Sequence, residues 1–244
     1  MSPDLVFLHG WGMNAAVWTP LLEALSGDYR LHPLELPGHG HAPYRGQRDL
    51  AEWAEAVLAS APVSAYWLGW SLGGEVALQA ALLAPERVQA LLLTATAPRF
   101  VQGEGWPHAM PRGTLSQFAK ALGSDYEGTI GRFLALQVRG SERGREVLRS
   151  LKQELAARPA ADPAALAQGL ELLRGVDLRA DLTRLQCPHA WCFGERDSLI
   201  PIALADDLAV LAPQARIYCI PGAAHAPFLS HGAQWLGWVR ENLS

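Results

Sequence analysis

The sequence predicts an α/β protein: a mostly parallel central sheet flanked by helices and interrupted by an inserted helical cap. Three observations carry that expectation. Short continuous apolar runs alternate with helical periodicity as far as residue 98. Helical patterns alone then fill about eighty residues, and the alternation resumes near residue 190. Strands joined through helices form βαβ units with right-handed crossovers, which makes the sheet parallel.

The elements follow in order. Residues 5–8 form an apolar run closed by His9-Gly10, as suits a strand buried on both faces. Asn14 caps a helical pattern through Leu25, and residues 29–36 read as a second strand ended by Pro37-Gly38-His39-Gly40. Residues 49–61 are helical, 65–70 strand, 72–83 helix and 88–95 strand. Helices are expected over 114–122, 126–138, 142–157 and 163–174. Strand 190–193, helix 202–211, strand 216–220 and helix 234–242 complete the chain. Residues 1–98 and 186–244 thus read as one core domain, and 99–185 as its cap.

With 244 residues the chain can bury a large core without staples. Cys187, Cys192 and Cys219 are odd in number, lack metal-site spacing and read as small buried hydrophobes. No metal or cofactor is expected. The opening Met1-Ser2-Pro3-Asp4 has no basic segment before its short apolar run, so it does not read as a secretory signal. No stretch reaches the ~20 apolar residues of a membrane span. A cytoplasmic monomer is the expectation. The net charge of −4 argues against nucleic-acid binding. That charge is uneven: residues 99–179 hold twelve Lys/Arg against nine Asp/Glu, the remainder eight against fifteen.

Gly69-Trp70-Ser71-Leu72-Gly73 satisfies G-x-S-x-G, with a strand entering and a helix leaving. That setting is the nucleophile elbow of the α/β-hydrolase fold, in which a sharp turn stands the serine hydroxyl clear of the sheet at a helix N-terminus. The plainer reading is a serine N-cap among turn glycines, which the strand–turn–helix context disfavours. A serine hydroxyl needs a base. In this fold the partners follow in the order Ser, Asp/Glu, His on late strand ends. Asp197 follows the strand at 190–193 and His225 follows the strand at 216–220, so they are expected as acid and base. Glu195 is the near rival for the acid, expected to be solvated; Asp206 and Asp207 fall inside a helix; His41, His108 and His231 read as surface histidines. The oxyanion donors are expected to be the backbone N–H groups of Leu72 and, in His9-Gly10-Trp11-Gly12, Trp11. Together these residues predict acyl transfer to water.

Four segments go further: His9-Gly10-Trp11-Gly12-Met13-Asn14, Trp67-Leu68-Gly69-Trp70-Ser71-Leu72-Gly73-Gly74, Arg132-Phe133-Leu134-Ala135-Leu136-Gln137 and Ala224-His225-Ala226-Pro227-Phe228. In order and over nearly the whole chain, they resemble the pimeloyl-acyl-carrier-protein methyl ester esterases of bacterial biotin synthesis. Trp70 is the most distinctive mark, since His is commoner there among relatives. The resemblance implies hydrolysis of the methyl ester of pimeloyl-acyl carrier protein. It also implies substrate contacts at Trp11, Ser71, Leu72, Phe133, Leu134, Ala135, Leu136, Gln137 and His225, and a basic cap surface for the acidic carrier and its phosphopantetheine arm. Arg145, Arg149 and Lys152 share one helix face, Leu148, Leu151 and Leu155 fall on another, apolar face, and Arg132 and Arg139 come from the preceding helix. An ordinary solvated helix surface is the alternative for these residues. The short lead-in before the first strand, and Gly128 and Gly131 ahead of Arg132, depart from the family's pattern. A broad short-chain carboxylesterase, other hydrolases of the fold and a non-catalytic ligand receptor stay open; a dehalogenase would carry Asp at the elbow.

Overall fold

The computed structural model describes residues 2–243. Six strands, β1 (Asp4–Leu8), β2 (Arg30–Leu34), β3 (Ala65–Trp70), β4 (Val88–Thr94), β5 (His189–Gly194) and β6 (Arg216–Ile220), form one sheet. Their order is β2-β1-β3-β4-β5-β6, with every pairing parallel. The chain winds outward from β1 to β2 on one side and from β3 to β6 on the other. The reversal between β1 and β3 is a topological switch point, and the crevice beyond the carboxyl ends of those strands is where such sheets hold ligands.

Burial explains which runs could be read as strands. Leu5 to Leu8, Trp67 to Trp70 and all of β5 are buried, as strands covered on both faces must be. The edge strands β2 and β6 are half-exposed and patterned less clearly. Pro33 cannot donate to a ladder, and β2 accommodates it at the sheet edge.

The flanking helices are α1 (Thr19–Leu25), α2 (Leu50–Leu58), α3 (Leu72–Leu83), α4 (Arg112–Leu122), α5 (Tyr126–Gln137), α6 (Gly144–Ala156), α7 (Pro163–Gly175), α8 (Leu204–Leu211), α9 (Pro227–Ser230) and α10 (Gly232–Leu243). Asn14 does cap a helical segment, its side chain accepting from the Ala16 N–H, but that segment is a 3₁₀ turn over Ala15–Trp18 followed by α1. Pro20 has no N–H to return to Ala16, so one continuous α-helix cannot form there. The short α9 and the earlier start of α10 also differ from the expectation for 234–242. Asp49, Asp125 and Asp162 cap α2, α5 and α7 through side-chain oxygens.

Helices α4–α7 lie between β4 and β5, preceded by isolated bridges pairing Val101 with Met110 and Gly103 with Trp106. Of the three cysteines, only Cys192 is buried; Cys187 and Cys219 are half-buried, which corrects the expectation for those two. Both come from positions flanking or within the sheet's outer half, where cover is incomplete. Among the described residues, no helix is long and apolar enough to cross a membrane. None of them form a group of three or more side chains able to hold a metal ion.

Candidate active site

β3 delivers Ser71 into a backbone conformation of φ 56° and ψ −124°, which L-residues rarely adopt. The turn is held from several sides. The Ser71 N–H donates to Thr94 O at 3.1 Å, and the Ser71 carbonyl accepts from Gly74 N at 2.8 Å and Thr96 Oγ1 at 2.7 Å. Glycine is required beneath it: a Cβ on Gly73 would run into the carbonyl oxygen of His9. The Ser71 side chain makes no capping bond to α3. Its Oγ instead lies 3.0 Å from His225 Nε2.

His225 follows β6 and Asp197 follows β5, so adjacent strands bring them together. Their contact is 2.7 Å, between His225 Nδ1 and Asp197 Oδ2. The other oxygen, Oδ1, accepts the N–H groups of Leu199 at 2.8 Å and Ile200 at 3.0 Å. Two backbone N–H groups and the imidazole therefore fix the carboxylate. The chain Ser71–His225–Asp197 is almost fully enclosed, at 1%, 1% and 5% exposure. Glu195 lies exposed and accepts from Gly222 N at 2.9 Å. Asp207 pairs with His108 at 2.9 Å, and His231 bonds Ser230 Oγ at 2.8 Å.

Both backbone groups of His225 are held as well. Its N–H donates to Gln137 O at 3.1 Å. Its carbonyl accepts the Trp70 indole N–H at 2.7 Å. The Trp70 ring lies 5.7 Å from the imidazole and edge-on to Phe228 at 5.0 Å.

The loop after β1 packs Gly10 against Ser71 and the Trp70 ring, with Trp11 next in the chain. Leu72 opens α3, where a helix offers its first N–H no partner. A buried histidine and a half-buried glutamate brace the loop. His39 Nε2 accepts the Gly12 N–H at 3.4 Å while its Nδ1 donates to Pro37 O at 3.0 Å. Burial, with His9 nearby, depresses the His39 pKa to about 3, so the ring stays neutral. Glu35 accepts the Ala15 N–H at 2.8 Å. None of these braces is signalled by a motif, although the Pro37-Gly38-His39-Gly40 turn marks where one of them lies.

On α5, Phe133 meets the Trp11 ring edge-on at 4.7 Å, and Leu134 and Gln137 are buried. The Gln137 side-chain oxygen is buried without a partner. Leu136 is half-buried, and Ala135 is exposed on the opposite phase of the helix. A cavity of about 440 Å³ lies against the loop, lined by Gly12, Ile130, Leu134, Leu155 and Lys152 among others. A larger one, about 790 Å³, between Trp106, Arg179, Asp207 and Val210, contains none of these side chains.

The chain matches the family model described as the alpha/beta hydrolase fold over residues 3–232. It is 44% identical to a pimeloyl-[acyl-carrier protein] methyl ester esterase of Photobacterium profundum, covering 98% of this chain and 93% of that one. It is 45% identical to the protein of the same name from Xanthomonas oryzae, covering 96% and 92%. The chain belongs to this esterase family of α/β hydrolases. Among solved structures it is similar to an esterase from Exiguobacterium antarcticum, with TM-score 0.87 and 20% identity over 100% of this chain and 93% of that one. That likeness shows the fold. As a member of the esterase family the chain is a hydrolase, and its serine–histidine–aspartate line is built on the loops after β3, β6 and β5.

The basic side chains named from the sequence fall on α5, the turn after it, and α6. Arg132 pairs with Asp125 at 3.1 Å. Arg139, Arg145, Arg149 and Lys152 are exposed and have no ion pair among the described residues. Val147 and Leu151 turn the other face of α6 into the protein.

Proposed function

We propose that this esterase hydrolyses the methyl ester of pimeloyl-acyl carrier protein through an acyl-enzyme on Ser71, in biotin synthesis. The observation that carries the chemistry is the continuous line from Ser71 Oγ through His225 to Asp197, at 3.0 and 2.7 Å. The substrate rests on the name shared by relatives 42–45% identical over nearly the whole chain.

His225 Nε2 takes the Ser71 proton as Oγ bonds to the ester carbonyl carbon. The carbonyl π pair becomes an oxyanion, which the backbone N–H groups of Trp11 and Leu72 receive; each such donor is worth roughly 10²–10³ in rate. Collapse of the intermediate breaks the bond to the methoxy oxygen, and His225 returns the proton to release methanol. A water deprotonated by His225 then cleaves the acyl-enzyme, and the proton returns to Ser71. Asp197 holds the imidazole in the tautomer that both steps need. No metal or cofactor takes part in this scheme.

Residues 99–185 act as a cap over the site. Phe133, Leu134, Leu136 and Gln137, with Trp11, Leu72, Ser71 and His225, contact the acyl chain, and Ala135 follows them on the outer phase of α5. The basic surface made by Arg132, Arg139, Arg145, Arg149 and Lys152 receives the acidic carrier and its phosphopantetheine arm. The unpaired state of the last four supports that role, since unpaired cations steer an oppositely charged partner. The protein acts as a cytoplasmic monomer, and small soluble esters share the same chemistry without docking. The test is rescue of a biotin auxotroph that lacks this esterase. Wild type should restore growth and Ser71→Ala should not; failure by a well-expressed wild type active on small esters would overturn the substrate.

A further inference from the structure

Helix α7 touches both residues whose backbone N–H groups are proposed to hold the oxyanion. The Trp11 indole N–H donates to the Leu166 carbonyl at 2.8 Å, across 155 positions of chain. One turn further along the same helix face, a Cβ on Gly169 would stand 2.8 Å from Trp11 Cδ1, 3.2 Å from Trp11 Nε1 and 3.2 Å from Leu72 Cδ2. Gly169 is buried within α7 and has no left-handed backbone angle to justify glycine. A glycine there weakens the helix relative to alanine. What it provides is room.

The Trp11 ring has little freedom to yield. Phe133 closes on it edge-on at 4.7 Å, and Phe118 backs Phe133 at 5.5 Å. Next along the loop, Gly12 sits at φ +69°, where its absent Cβ would meet Ile130 Cδ1 at 3.2 Å. A displacement of the Trp11 ring therefore passes to its own backbone, and with it to the N–H proposed as an oxyanion donor.

We infer that α7 is a positioning element for the oxyanion hole, acting through the Leu166 carbonyl and the bare Cα of Gly169. Neither residue touches the reacting atoms. They set where the Trp11 N–H points, and Gly169 also sets how closely Leu72 is overlaid. The inference rests on the reading of Trp11 and Leu72 as oxyanion donors.

Two variants test it: Gly169→Ala, which pushes against both donor residues, and Trp11→Phe, which keeps a ring but removes the bond to Leu166. Each is assayed with p-nitrophenyl butyrate, by thermal midpoint, and by fluorine NMR of the adduct with an alkyl trifluoromethyl ketone. In that adduct Ser71 Oγ bonds to the ketone carbon, the proton passes to His225 and the carbonyl pair becomes an oxyanion. The pH at which the oxyanion takes up a proton reports the strength of its donors. Gly169→Ala and Trp11→Phe should lower kcat at least tenfold, with KM within twofold and the thermal midpoint kept. The adduct should protonate at least one pH unit higher than in wild type. If Gly169→Ala fails to fold, Trp11→Phe decides. Wild-type kcat and adduct behaviour in the folded variants would overturn the inference, as would a kcat loss with the adduct pH unchanged. A wild-type adduct that is never ionised would overturn the oxyanion reading itself.

Discussion

The indole N–H of Trp70 donates to the carbonyl oxygen of His225 at 2.7 Å, joining the residue before the nucleophile to the backbone of its base. With the His225 N–H donated to Gln137, both backbone groups of the base are fixed from opposite sides. The distinctive tryptophan of the elbow thus helps to hold the imidazole at hydrogen-bond distance from Ser71.

Trp70→Phe keeps an aromatic ring there but leaves the His225 carbonyl buried without its donor. A base displaced by a fraction of an ångström should cost roughly tenfold in kcat, since misplacement by 1 Å can cost about a hundredfold. KM for a small ester should change little. The unpaired carbonyl should also destabilise the protein by about 1–3 kcal/mol. Steady-state kinetics beside a thermal melt checks this, and an unchanged kcat would remove Trp70 from the machinery.

Glu75 lies in the first turn of α3, fully buried, with neither carboxyl oxygen hydrogen-bonded. Burial raises its pKa well above the ordinary glutamate value of 4.5, favouring the protonated form in the folded protein. In the unfolded chain it ionises as pH rises past 4.5, so the stability deficit it causes grows with pH until its folded-state pKa is reached. Glu75→Leu should therefore raise the thermal midpoint, with a gain larger at pH 8 than at pH 4. About 1–3 kcal/mol is expected from removing an unsatisfied buried group. That corresponds to roughly 2–4 °C per kcal/mol in a chain of this size. Equal midpoints at pH 8 would contradict the buried-acid description.

His39 titrates in the opposite sense. Its folded pKa of about 3 lies below the ordinary 6.5, so the unfolded chain binds the extra proton between those values. The stability it contributes is complete above pH 6.5 and is lost as pH falls towards 3. Protonation would also remove the acceptor for the Gly12 N–H. His39→Gln should flatten the fall in thermal midpoint between pH 6.5 and 4. A variant whose acid limb parallels wild type would show that another group controls it.

The charge on α6 makes a separable prediction. Arg145→Glu combined with Arg149→Glu should lower kcat/KM for the carrier-bound ester roughly tenfold or more at low salt, since steering depends on field and ionic strength. Turnover of p-nitrophenyl butyrate should stay within twofold. Equal losses on both substrates would place the effect on the fold or the chemistry.

Much of this was legible in the sequence because it depends on local pattern. The buried strands β1, β3, β4 and β5 are continuous apolar runs, and G-x-S-x-G between a strand and a helix has few other uses. Where Pro20 splits a helix, one proline overrode an otherwise even periodicity. The edge strands blur because one face meets water. What the sequence could not yield is the bracing. Trp70 to His225, His39 to Gly12 and Leu166 to Trp11 pair side chains with backbone groups 155, 27 and 155 positions apart, and no composition or spacing encodes such a partner. The exposure of Ala135 beside its buried neighbours likewise depends on how α5 is rotated against Trp11.

The most direct measurement is methanol release from purified methyl pimeloyl-acyl carrier protein, with wild type and Ser71→Ala compared at matched folding. Wild type should convert the carrier-bound ester to the free carboxylate over many turnovers. Ser71→Ala should lose on the order of 10⁶ in kcat while melting at the same temperature, as removal of a nucleophile in a serine triad does. Turnover by Ser71→Ala at the wild-type rate would contradict the mechanism. A wild type that hydrolyses p-nitrophenyl butyrate but leaves the carrier-bound methyl ester intact would contradict the substrate.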